Sequence, residues 1–123
     1  MTKILVVDDD QDFVSAVQIV LENAGYEVQT AHSRQDGMAV YKKYQPQLVL
    51  LDVMMQEPDD GFVMAQELKK CCPQLPILML TSVGQVTGMD FDKDDEMVPV
   101  DAFEQKPIMP ARLLERIQEL LKK

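Results

Sequence analysis

Cysteine is scarce in this chain, with two residues, Cys71 and Cys72, adjacent and alone. That pair makes neither a disulfide framework nor a C-x-x-C metal pair, which leaves two ordinary helix residues in a reducing, cytoplasmic setting. Long hydrophobic runs are missing as well. No apolar stretch approaches the ~20 residues that span a bilayer, so no membrane partner is expected. Met1, Thr2 and Lys3 lead straight into a short apolar run and then acids, which is not a secretory pattern. Positive charge is short too: 12 basic residues face 21 acidic ones, for a net charge of −9. That balance argues against nucleic-acid binding through this domain. The imbalance is steepest between Asp90 and Glu104, where seven acids stand against Lys93 alone and contribute −6. A solvated loop and a partner-binding surface both fit that stretch.

What is present is ordinary in amount and regular in order. A chain of 123 residues, 46% of them hydrophobic, is sized for one domain spanning 1–123. Ile4 to Val7 is a continuous apolar run, as in a strand buried on both faces. Asp10 or Asp12 can cap a helix through Phe13, Val14, Val17, Leu21 and Ala24, stopped at Gly25. Tyr26 to Ala31 reads as a second strand, and Ser33 caps a helix that ends before Pro46. Leu48 to Leu51 is a third strand, followed by a helix from about Gly61 to Cys72. Ile77 to Leu80 is a fourth strand. Val100 to Gln105 is a fifth, less apolar and therefore suited to a sheet edge. Pro110 opens a last helix carrying Leu113, Leu114, Ile117, Leu120 and Leu121.

Strand–helix alternation repeated five times predicts an α/β fold with a parallel sheet and right-handed crossovers. Function in such folds sits beyond the carboxyl ends of the strands, where the strand order switches. Asp8, Asp9, Asp10 and Asp12 follow the first strand and Asp52 ends the third. They are expected to crown the sheet at one edge.

Carboxylates gathered there repel, by roughly 4 kcal/mol per pair at ~4 Å and an effective dielectric of ~20. Either their pKa values rise or a cation compensates them. An all-oxygen donor set suits a hard ion such as Mg²⁺, Mn²⁺ or Ca²⁺. Calcium loops fit badly, since Phe13 and Asp95 stand where each candidate loop needs a glycine. A haloacid-dehalogenase type of phosphatase would also end a strand in Asp8-x-Asp10. Its usual Thr is replaced by Asp12, and the chain has no room for cap insertions.

Asp8-Asp9, "LVLLDVMM" around Asp52, "PILMLTS" ending in Thr81 and Ser82, Phe103, and Lys106-Pro107 stand in that order at successive strand ends. In this the chain resembles, from end to end, the receiver domain of two-component response regulators, the chemotaxis regulator among them. The resemblance implies a flavodoxin-like (βα)5 fold with strand order 2-1-3-4-5. It implies that Asp52 is the phosphoryl acceptor, served by a histidine kinase or phosphotransfer protein, and that an output partner, unnamed by the residues, reads the switch. Asp9, Asp52 and the Met54 backbone carbonyl would bind Mg²⁺ (or Mn²⁺), with Asp8 acting mainly through water. Lys106, Thr81 and Ser82 would meet the phosphoryl group, Thr81 and Phe103 would switch, and Lys106-Pro107 would be joined by a cis peptide. Such a domain processes no external metabolite. The alternative is a degenerate receiver that only binds partners.

Four features depart from the family pattern. Asp52 and Gly61 are nine apart rather than eight, Gln56 stands where a Pro is common, Glu104 stands at a usually apolar place, and Thr81 and Lys106 are 25 apart. The span between those last two, "VGQVTGMDFDKDDEMVPVD", carries Gly84, Gly88, a run of acids and Pro99. An irregular fourth-helix region is therefore expected.

Overall fold

In the computed structural model, residues 2–52, 60–82, 102–106 and 109–122 are described. The elements run β1 (Lys3–Val7), α1 (Gln11–Asn23), β2 (Glu27–Ala31), α2 (Arg34–Tyr44), β3 (Leu48–Asp52), α3 (Asp60–Cys71), β4 (Ile77–Ser82), β5 (Ala102–Lys106) and α4 (Pro110–Leu121). The strands form one parallel sheet in the order β2-β1-β3-β4-β5. That is the flavodoxin-like order implied by the resemblance. The fifth strand lies at an edge, as its lower apolar content suggested. Its described residues run from Ala102 to Lys106, and the expected start at Val100 lies outside the described residues. The fourth-helix span lies outside the described residues.

The continuous apolar runs have a simple cause: each inner strand feeds two cores. Ile4 and Val6 of β1, Leu48 and Leu50 of β3, and Leu78 and Leu80 of β4 face Val14, Val17 and Leu21 of α1 and Leu113, Ile117 and Leu120 of α4. Their alternates, Leu5, Val7, Val49, Leu51, Ile77 and Met79, face Met64, Ala65 and Leu68 of α3, with Met38 and Tyr41 of α2 packed alongside. The period-two geometry of a strand therefore demands an apolar residue at every position. Each such buried aliphatic side chain contributes roughly 1.5–3 kcal/mol.

Local chemistry sets the helix ends. The Asp10 carboxylate accepts the Phe13 N–H at 3.2 Å and caps α1, while Asp12 sits in its first turn beside the positive end of the helix dipole. At the other end the Gly25 N–H reaches the Glu22 carbonyl and the Tyr26 N–H reaches that of Leu21. This two-bond closure places Gly25 at φ +98°, a conformation glycine adopts without strain. Ser33 Oγ accepts the Asp36 N–H at 3.1 Å and starts α2.

Gly37 has a different task. A Cβ there would lie 2.7 Å from Met64 Cε and 3.1 Å from Val7 Cγ2, so its bareness lets α2 settle onto α3 and the sheet. Gly37→Val is expected to lower stability by about 2 kcal/mol or more, because Val7 is held within a strand and cannot retreat. Gly37→Ala should change it by less than about 1 kcal/mol, since better helix propensity offsets the displacement of the Met64 tip. Urea denaturation of the two variants checks this.

Candidate functional site

The sheet order generates the site. From β1 the chain crosses to β2 on one side, while β3 pairs with β1 on the other, so the switch in order falls between β1 and β3. Ile4 to Val7 pair in step with Leu48 to Leu51. One residue further on, Asp8 and Asp52 come up side by side.

Both are nearly inaccessible, Asp8 at 1% and Asp52 at 3% relative exposure, whereas Asp9 is exposed. One carboxylate oxygen from each of Asp8, Asp9 and Asp52 lies within 4.8 Å of the others. At that separation each charged pair costs on the order of 3 kcal/mol at an effective dielectric of ~20. Hydrogen bonds brace the first strand's end against this. Asp8 donates its N–H to the Ala31 carbonyl at 3.1 Å, and its Oδ1 accepts the Asp10 N–H at 2.9 Å. The donor set is oxygen throughout, two of its three members are buried, and all three are acidic. It fits a small hard divalent cation.

The other expected residues are placed by their backbones. Asp52 stands opposite Leu80 of β4, so Thr81 and Ser82 are the next two residues at the same sheet edge. Ser82 in turn stands opposite Lys106 of β5, and Phe103 opposite Met79. Asp8, Asp9, Asp52, Thr81, Ser82 and Lys106 thus share the carboxyl edge, and Phe103 sits three residues further down β5. Met54 and Pro107 lie outside the described residues.

Residues 4–118 match the model of the response regulator receiver domain family. The chain belongs to that family. A probable transcriptional regulator, ycf27, of Pyropia yezoensis is 39% identical over 125 residues, which cover 98% of this chain and 48% of that protein. The DNA-binding dual master transcriptional regulator RpaA of Synechocystis is 36% identical over 129 residues, covering 100% of this chain and 50% of that protein. The chain spans about half the length of these curated relatives. The CheY-like receiver domain protein of Methanospirillum hungatei superposes with a TM-score of 0.84 at 28% identity, covering 99% of this chain and 94% of that one. The chain is thus a receiver domain of two-component signalling, the phosphoacceptor module of response regulators. Among its described residues no helix is long and apolar enough to cross a membrane.

Two features of this receiver were missed by sequence reasoning. His32 Nδ1 lies 3.2 Å from the Asp8 carbonyl oxygen. The available signal was its place directly after β2, which the 2-1-3-4-5 order sets beside the end of β1. Glu104, noted only as a charge at an apolar place, is balanced by α4. Its Oε2 accepts from Arg112 Nη2 at 3.1 Å, and Arg116 Nε approaches the same oxygen at 2.9 Å as an ion pair without hydrogen-bond alignment. With the Glu104 side chain 15% exposed and that of Arg116 26%, a double-mutant cycle between Glu104→Ala and Arg116→Ala should give a coupling of about 0.5–1 kcal/mol in urea denaturation.

Proposed function

We propose that Asp52 is the residue on which this receiver carries its phosphoryl group. The observation that carries the reading is the buried Asp52 carboxylate grouped with those of Asp8 and Asp9 within 4.8 Å. Position supports Asp52 among the three. Strand β3 lies between β1 and β4, so Asp52 has Asp8 on one side and the strand end bearing Thr81 and Ser82 on the other. Of the three carboxylates, Asp52 is the one on the strand between β1, which leads into Asp8 and Asp9, and β4, which ends in Thr81 and Ser82, with Lys106 one strand further.

In this reading Asp9, Asp52 and the Met54 carbonyl would hold Mg²⁺ or Mn²⁺, with Asp8 acting mainly through a water. The bound ion supplies neutralisation of charge on the phosphoryl oxygens and fixes their orientation. An Asp52 oxygen attacks phosphorus in line, the bond from phosphorus to the donor imidazole nitrogen breaks, and an acyl phosphate forms. Lys106, Thr81 and Ser82 take up the charge on the phosphoryl oxygens. In the return step water attacks phosphorus, inorganic phosphate leaves, and the Asp52 carboxylate is restored. The added charge at Asp52 draws Thr81 and Lys106, and Phe103 follows on its strand as the readable change.

The donor is a histidine kinase or a phosphotransfer protein. The reader is an output partner or domain, reached without nucleic-acid contact by this acidic, cytoplasmic domain spanning 1–123. Beyond its own phosphorylation and dephosphorylation it turns over no metabolite. Acetyl phosphate with Mg²⁺ should give a single phosphoryl adduct by intact-mass measurement, and EDTA should prevent it. A module that only binds partners gives no adduct. A phosphatase releases phosphate continuously from a soluble ester.

A further inference from the structure

The peptide joining Asp8 to Asp9 sets the direction in which the exposed Asp9 leaves the end of β1. Because a peptide unit is planar, holding the Asp8 carbonyl also holds the Asp9 N–H and limits rotation about both adjoining bonds. That carbonyl meets His32 Nδ1 at 3.2 Å. A carbonyl oxygen only accepts, so Nδ1 carries the proton and donates. His32 is itself fixed from both sides. Ala31, the last residue of β2, accepts the Asp8 N–H, and Ser33 caps α2 through the Asp36 N–H. The Asp8 backbone is therefore gripped at its N–H by Ala31 and at its C=O by His32, and its side chain accepts the Asp10 N–H. Asp9 lies between these anchors, at the point where a carboxylate repelled by Asp8 and Asp52 would otherwise swing into solvent.

We propose that His32 is a positioning residue for the divalent-cation site, acting through its Nδ1–H bond to the Asp8 carbonyl to hold Asp9 close to Asp8 and Asp52. This rests on the cation-binding reading given above. The bond acts before any cation arrives: it limits the conformations Asp9 loses on binding, and so raises affinity without touching the ion. The imidazole's other nitrogen and its bulk are not needed. The donor alone is.

Substitutions that move the donor test this. Asn carries its amide nitrogen near the place of Nδ1, whereas Gln carries it one bond further out. Mg²⁺ titrations of the full chain followed by calorimetry should show His32→Ala and His32→Gln weakened by roughly three- to ten-fold, with His32→Asn within about two-fold of wild type. The Asp9 amide resonance of the metal-free protein should move in His32→Ala and return towards its wild-type position in His32→Asn. Residue 32 is exposed, so all three variants are expected to fold. Equal Mg²⁺ affinity in wild type and His32→Ala, or an Asn variant as weak as the Gln variant, overturns the positioning role and leaves the cation site standing. A wild type that binds no Mg²⁺ overturns both.

Discussion

Magnesium at a hundredfold excess over its dissociation constant should raise the melting temperature of the wild type by about 8–10 °C and that of Asp9→Ala by no more than about 2 °C. The size follows from linkage. A ligand that binds only the native state at that excess adds about 2.7 kcal/mol. A chain of this length has an unfolding entropy near 0.26 kcal/mol/K at its midpoint, so that stabilisation corresponds to roughly 10 °C. The direction follows from the site. Asp8 and Asp52 are buried, Asp9 is close to both, and each oxygen added to the group raises its demand for positive charge. In the proposed site Asp9 is a ligand, so Asp9→Ala is expected to lose the rise. It also removes two repulsive pairs, so the metal-free variant should melt above the metal-free wild type. Equal Mg²⁺ effects on the two proteins would show that the ion stabilises the chain from elsewhere.

Asp52→Asn should reduce phosphorylation by acetyl phosphate to background while making the metal-free protein about 1–3 kcal/mol more resistant to urea. The amide has nearly the shape of the carboxylate but neither its charge nor its nucleophilic oxygen. Its gain in stability is the repulsion that a buried Asp52 endures beside Asp8. Opposite signs for function and stability at one position mark a group kept for chemistry rather than for folding. A full adduct on Asp52→Asn would move the acceptor to another residue. An unchanged adduct with lowered stability would make Asp52 a structural carboxylate.

Much of this was legible in the residues because the inner strands leave little choice. Leu48 to Leu51 and Ile77 to Leu80 are apolar at every position since each strand feeds a core on both faces, and no surface strand or loop would tolerate that. Asp8 and Asp9 after Ile4 to Val7, and Asp52 after Leu48 to Leu51, were legible for the complementary reason: charge that directly follows such a run must lie at the sheet's rim. Strand order was not written in the alternation, which is the same for several orders, and came with the family resemblance. Partners distant in sequence were the least legible. His32 points to Asp8 only once the strand order is known, and the pairing of Glu104 with Arg112 and Arg116 depends on how α4 returns towards β5, which the residues around Glu104 do not state. Gly37 is similar, since its value lies in Met64 and Val7, which belong to other elements.

The central claim is that the phosphoryl group rides on Asp52. An acyl phosphate, unlike a phosphoester or a carboxylic acid, is reduced by borohydride to an alcohol, which converts the phosphorylated aspartate to homoserine. Wild-type protein phosphorylated by phosphoramidate with Mg²⁺, then reduced and digested, should yield one modified residue by fragment-ion mass spectrometry, at position 52, and none when EDTA is present. Homoserine at Asp8, Asp9 or any other aspartate with position 52 unmodified would contradict the account.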